Sequence, residues 1–204
     1  MQPTVDTQQR ILDSARELIF SRSYADVGVA AICEHAGVKK GSFYHFYPSK
    51  QALTLAVLDA QFIDLKENIN IAFSGKVPLL ARLARFEEMV YQLQKLVNTQ
   101  TGFVLGCPFG NLANELSTQD EKIREKIQQI FVSFQKLIGG VLQAAQETGE
   151  LLQEIDVDTT AQAMLAYFEG VLLLAKNQNN PEIIRQLLPV MANIRISKKS
   201  GIAF

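Results

Sequence analysis

Between Lys39 and Lys50 the chain sets three lysines, two serines, a histidine and several aromatic rings in twelve residues without one acid: Lys-Lys-Gly-Ser-Phe-Tyr-His-Phe-Tyr-Pro-Ser-Lys. The formal net charge of the whole chain is −1, so positive charge is concentrated in this segment. Cations, hydroxyls and ring nitrogens on one short helix are what phosphate oxygens and base edges in a nucleic-acid groove bind. Phe43 and Tyr47 are four residues apart and can anchor the helix to a core. Lys39, Lys40, Ser42, Tyr44 and His45 are then left for the outside. Pro48 ends the helix, because the residue before a proline avoids the helical region. Ser49 is a good cap for the next one. Lys50 falls in that helix's first turn, an unfavourable place for a cation beside the positive end of the helix dipole. A phosphate nearby would remove the conflict. A lysine pair alone is an ordinary solvated feature, and it is the combination of turn, aromatics, cap and lysine that points to nucleic acid.

Other chemistry finds less support. There are two histidines, His35 and His45, and neither has a nucleophile at a useful spacing. No glycine-rich phosphate loop or Cys/His cluster with metal spacing is present, and Gly139-Gly140 falls in the middle of a helix, where it suits close packing. The expectation is therefore no catalytic set, no cofactor and no metal. The exception of interest is Gly106-Cys107-Pro108-Phe109-Gly110-Asn111-Leu112-Ala113-Asn114-Glu115-Leu116. It puts a thiol at the start of a short helix, where the dipole favours thiolate and raises reactivity. Asn111 and Asn114 interrupt an apolar run, and a buried amide needs a partner. The alternative is that Cys107 is a small buried hydrophobe.

The elements that must position these groups are helical. Ile11, Ala15, Leu18 and Ile19 form one apolar face. Val29, Ile32, Cys33 and Ala36 form a second at i, i+3, i+4, i+7. Gly37 follows at once and permits the left-handed turn that closes a helix. The recognition segment then starts at Lys39 or Lys40 and ends at Phe46. A long helix runs from Pro48 to about Phe73, and Gly75 to Pro78 is a boundary. Further helices are expected from Leu79 to about Val97, Phe109 to Leu116, Asp120 to Thr148, Asp156 or Asp158 to about Lys176, and Pro181 to about Ile194. The tail from Ser197 to Gly201 is expected to be loose. No sustained alternation supports a strand.

The order of these signals resembles the DNA-binding domain of the TetR family of transcriptional regulators. The resemblance rests on Arg10 to Ala15, on Ala36 to Tyr47 and on Ser49-Lys50-Gln51-Ala52-Leu53. It implies base or phosphate contacts for Ser42, backbone or base contacts for Tyr44 and His45, and a phosphate clamp at Lys50, with Lys39 and Lys40 flanking the recognition helix. Two departures stand out. Val27-Gly28 replaces the usual hydroxyl residue, so Gly28 can offer phosphate only its N–H. The ending His45-Phe46-Tyr47 leaves open which aromatic faces the groove. The Cys107 segment resembles one bordering the inducer site in a subgroup of the family. That implies a pocket of Cys107, Phe109 and Asn111, with Tyr91, Phe131, Phe134 and Tyr167 as walls.

The fold class read here is all-α, with about nine helices. Residues 1–48 form a three-helix DNA-binding domain, and residues 49–204 a helical ligand-binding and dimerisation domain with the fourth helix as connector. The penultimate helix is apolar on more than one face, which suits a seam between two copies. Hydrophobic content is 48% and charged content 20%, typical of a folded domain. The polar start of the chain and its short apolar runs argue against a signal peptide or a membrane span, so a cytoplasmic protein is expected. Cys33 and Cys107 fall in different domains and should not pair. The function expected is a ligand-responsive regulator, a repressor more often than an activator. As a homodimer it would bind double-stranded DNA at a palindromic operator and be released by a small-molecule inducer. The alternatives are a helical small-molecule carrier or enzyme with a non-functional DNA-binding domain, and an adaptor whose basic face binds an acidic protein.

Overall fold

The computed structural model describes residues 4–198, in nine α-helices and a closing 3-10 turn. The helices are α1 (Thr4–Ser21), α2 (Val29–His35), α3 (Lys40–Phe46), α4 (Lys50–Phe73), α5 (Leu79–Thr101), α6 (Pro108–Leu116), α7 (Glu121–Glu147), α8 (Val157–Asn177) and α9 (Glu182–Leu187). The 3-10 turn covers Leu188–Asn193. The chain divides into two compact units. One holds Met1–Asp64 and Pro108–Ile130, the other Leu65–Cys107 and Phe131–Phe204. Helices α4 and α7 each begin in the first unit and end in the second.

In the first unit α1, α2 and α3 pack on one another. The expected apolar face of α1 is buried at Ile11, Ala15, Leu18 and Ile19, and that of α2 at Ile32, Cys33 and Ala36, with Val29 half-buried. Leu53, Val57 and Leu58 of α4 are wholly buried here, as is Phe109 at the start of α6. Arg16 ties α1 to α4 through Asp64 at 3.1 Å. Lys126 of α7 reaches Asp59 of α4 at 2.8 Å. Helix α4, the expected connector, contributes to this unit up to Asp64, and Pro108–Ile130 joins it from a distant part of the chain.

In the second unit α5 packs on α9 and on the 3-10 turn, and α8 packs on α9. Phe86 of α5 meets Phe73 at 5.4 Å and Phe168 of α8 at 5.5 Å between ring centroids. Asp156 caps α8 by accepting from the Thr159 N–H at 3.0 Å.

Three boundaries differ from expectation. Helix α5 runs on to Thr101 and is closed there by Gly102, which sits at φ +80° and donates its N–H to the Asn98 carbonyl at 2.8 Å. The last helix breaks at Leu187 into the 3-10 turn, since Pro189 has no N–H to continue an α-helical ladder. The tail is held as far as Lys198: Ser197 forms an isolated bridge with Ile155, and the Lys198 N–H donates to the Glu154 carbonyl at 2.7 Å. The part of the expected loose tail from Lys199 to Gly201 lies outside the described residues.

Candidate functional site

Helices α2 and α3 are joined by one tight turn. The Val38 N–H donates to the Cys33 carbonyl at 2.9 Å and the Gly37 N–H to the Glu34 carbonyl at 3.1 Å, a paired closure of α2. Gly37 sits at φ +63°, the left-handed conformation this closure needs. Lys39 then takes an extended conformation and caps α3, its carbonyl accepting from the Ser42 and Phe43 N–H groups. Phe43 is completely buried and Tyr47 nearly so. Both act as the anchors their spacing suggests. Lys39, Lys40, Tyr44 and His45 are exposed and Ser42 is half-exposed. Tyr44 is 55% exposed while Tyr47 enters the core, so Tyr44 is the outward aromatic. Phe46 is half-buried, with the His45 ring on it edge-on at 4.8 Å. Gly28 caps α2 with an extended backbone, and a Cβ there would meet nothing within 4 Å.

Lys50 is engaged inside the protein. Its ammonium donates to the Tyr24 carbonyl at 2.5 Å and the Val27 carbonyl at 2.8 Å, and stands 3.7 Å from the centre of the Tyr24 ring. These groups relieve the dipole conflict that a phosphate was expected to relieve. Burial pulls the Lys50 ammonium below the usual lysine range, while Glu115 opposes that shift. Ser49 caps α4 as expected, accepting from the Ala52 N–H at 3.0 Å.

The residues expected to form a pocket are divided between the units. Tyr91, Cys107, Phe131, Phe134 and Tyr167 belong to the second, Phe109 and Asn111 to the first. Tyr91 is 1% exposed and donates its hydroxyl to Glu182 at 2.5 Å, with the Arg185 guanidinium 3.9 Å from its ring centre. Tyr167 donates to the Leu187 carbonyl at 2.8 Å. Phe134 is buried and Phe131 half-buried; Asn111 is half-buried and Asn114 exposed. Cys33 and Cys107 are both buried thiols, one in each unit.

Cys107 is held closely. Gln94 of α5 brackets the preceding glycine, donating to the Gly106 carbonyl at 3.0 Å and accepting from its N–H at 3.1 Å. A Cβ at Gly106 would stand 3.4 Å from the Lys176 side chain and 3.5 Å from the Leu172 carbonyl, so α8 lies directly against this corner. The Cys107 thiol donates to Glu169 of α8. Burial raises the Glu169 carboxyl from 4.5 to about 7, a shift the thiol only partly offsets, and its Oε1 is buried without a hydrogen-bond partner. Glu169 was not foreseen as a site residue; the available signal was one carboxylate in the otherwise apolar run from Met164 to Ala175. Glu115, whose carboxylate holds the chain ahead of α2, was also missed, because its partners are 90 and 91 residues away.

Two family models match the chain. Residues 11–57 match the bacterial regulatory proteins of the tetR family, and residues 80–191 match a tetracyclin repressor-like C-terminal domain. An HTH-type transcriptional regulator in the lacX 3' region of Lactococcus lactis subsp. lactis is 33% identical over 172 residues, 84% of this chain and 84% of that protein. The HTH-type transcriptional repressor DhaR of a Mycobacterium species is 29% identical over 185 residues, 90% of this chain and 89% of that one. A crystal structure of a regulatory protein TetR from Rhodobacter sphaeroides superposes with a TM-score of 0.81 at 28% identity, covering 92% of this chain and 98% of that one. The second model alone spans more than half of the chain, and the first falls on the three-helix reading head: the chain belongs to the TetR family of bacterial regulatory proteins and is a helix-turn-helix transcriptional regulator.

Proposed function

We propose that the protein is a repressor that binds a palindromic operator as a homodimer and is released by a small molecule held in its second unit. The observation that carries this reading is the outward face of α3 and its cap. Lys39, Lys40, Ser42, Tyr44 and His45 point away from a core fixed by Phe43, and no acid lies among them. Ser42, Tyr44 and His45 would read bases or the adjoining backbone, and Lys39, Lys40 and the Gly28 N–H would meet phosphates. An operator-binding role places the protein in the cytoplasm.

A second copy is supported by α8. Its inner face is buried at Ala161, Met164 and Val171, yet Ala166, Gly170, Leu173 and Leu174 remain exposed on the other side. Small and apolar residues at helical spacing suit a partner helix, and a dimer would set two recognition helices about 34–36 Å apart, one DNA turn. The ligand reading rests on Tyr91, Cys107, Phe131, Phe134 and Tyr167, with Glu169 as their polar member, and suits an apolar or amphipathic molecule. Release requires that the ligand bind the two states of the protein unequally, with coupling on the order of 1–3 kcal/mol.

Selection of random duplex DNA by the purified protein at two salt concentrations tests the reading. A palindrome should be enriched. Binding that is weak, blind to sequence and erased by salt would instead favour a carrier or adaptor. Sedimentation tests the dimer: Leu173→Glu should give monomers, and an unchanged dimer would move the interface elsewhere.

A further inference from the structure

We infer that Glu115 and Lys50 are positioning residues for DNA reading: together they clamp the loop between α1 and α2 and so fix where the recognition helix stands. The inference rests on the operator-binding reading above. Residues 22–28 join the two helices with little bonding of their own; the Val27 N–H reaches the Tyr24 carbonyl only at 3.4 Å. The Asp26 N–H donates to the Ser23 hydroxyl at 3.2 Å, and four further backbone groups of the loop go to two charged side chains from elsewhere in the same unit. The Tyr24 and Ala25 N–H groups donate to the two oxygens of the Glu115 carboxylate at 2.9 and 2.8 Å. The Tyr24 and Val27 carbonyls accept from Lys50 at 2.5 and 2.8 Å. One side chain takes the donors, the other the acceptors, and both bonds of each are charge-assisted.

The clamp has a rigid base. Gln51, next to Lys50, donates to Asp120 at 2.7 Å, and Asp120 in turn accepts from the Ile123 N–H at the start of α7. Glu115 lies near the end of α6. The first turn of α4, the end of α6 and the start of α7 thus share one polar cluster with the loop. The loop leads into Val27, which is fully buried, and then into the Gly28 cap of α2. From there the paired closure at Gly37 and the buried Phe43 carry the placement rigidly to α3. Whatever moves α6 is passed to the reading head through the Glu115 carboxylate.

The test uses the full-length protein and two readouts. Amide hydrogen exchange is followed at Tyr24 and Ala25 in the wild type, Glu115→Ala, Glu115→Gln and Lys50→Met. Affinity is measured on a duplex selected by the wild type, over a range of salt. In Glu115→Ala the two amides should exchange about tenfold faster or more, with the amides of α1 unchanged, as expected when a local hydrogen-bonded unit opens. Glu115→Gln should fall between, since an amide supplies one acceptor oxygen; keeping the side chain's volume, it also serves if the alanine variant fails to fold. Glu115→Ala and Lys50→Met should each weaken operator binding with the wild-type salt slope. The double variant should lose little more than the worse single one, because the two act on one loop. Unchanged exchange in Glu115→Ala overturns the inference. So does a Lys50→Met variant whose salt slope falls by about one while its loop exchange stays put, which would make Lys50 a phosphate ligand. A wild type that selects no duplex refutes the operator reading instead, and the exchange measurement still decides the clamp.

Discussion

Replacing Glu169 by glutamine should stabilise the protein at alkaline pH and leave it nearly unchanged at acid pH. The carboxyl is mostly buried on α8, with one oxygen unpartnered, and burial raises it from 4.5 to about 7. The native state therefore holds this proton more tightly than the unfolded chain does. Below the unfolded value both states are protonated and the group costs nothing. As pH rises to about 7 the unfolded chain ionises freely while the native protein resists, and stability falls through that window and then levels off. At about 1.36 kcal/mol per pH unit, the ionised form costs on the order of 3 kcal/mol above the window. Glutamine keeps an acceptor for the Cys107 thiol but adds an N–H pair that needs partners, so the expected net gain at pH 8.5 is about 2 kcal/mol. For a chain of this size that raises the melting temperature by about 4–8 °C. Urea melts of both proteins at pH 5 and 8.5, at one protein concentration so that association does not shift the result, measure it. An equal difference between the two proteins at both pH values would refute the reasoning, because no proton would then be linked to folding at this site.

Three further outcomes follow from the geometry. Gly28→Ser should raise stability by a few tenths of a kcal/mol, since a hydroxyl at this cap position accepts from the first turn of α2 and meets no obstruction; thermal melts would show it, and a loss would mean the cap geometry is unsuited. Gly37→Ala should cost about 1–2 kcal/mol, the strain of a Cβ at positive φ, read as a lower urea midpoint with the same slope. Cys107→Ser should retain operator binding in a mobility-shift assay and abolish any release caused by a thiol-reactive electrophile; full release in the variant would exclude this thiol as the sensor.

The fold was legible in the chain wherever a signal is local. The apolar faces of α1 and α2, the turn at Gly37, the cap at Ser49 and the anchors Phe43 and Tyr47 each follow from residues within one or two turns of each other. Helix ends are less legible: the polar run from Thr99 stays helical until Gly102 closes α5 in the left-handed conformation, and a single missing N–H at Pro189 converts an α-helix to a 3-10 turn. The membership of Pro108–Ile130 in the first unit had no local signature. It is set by packing between segments far apart in sequence, which periodicity does not report.

The same distinction separates the site residues that were read from those that were missed. An outward cation or hydroxyl on α3 is legible from its neighbours in the chain, because helical spacing alone sets which face it takes. Glu115 and Glu169 act through such partners, and an acid on a helix ordinarily reads as solvated. Their context nevertheless carried information. Lys50 stands at the unfavourable end of a helix dipole, and the Tyr24 and Val27 carbonyls accept from it. Glu169 interrupted an apolar run on a helix too hydrophobic to have a wholly wet face. A charge whose local surroundings disfavour it therefore marks either a long-range contact or a ligand, and the salt dependence of binding separates the two: a phosphate contact releases a counterion, and an internal clamp does not.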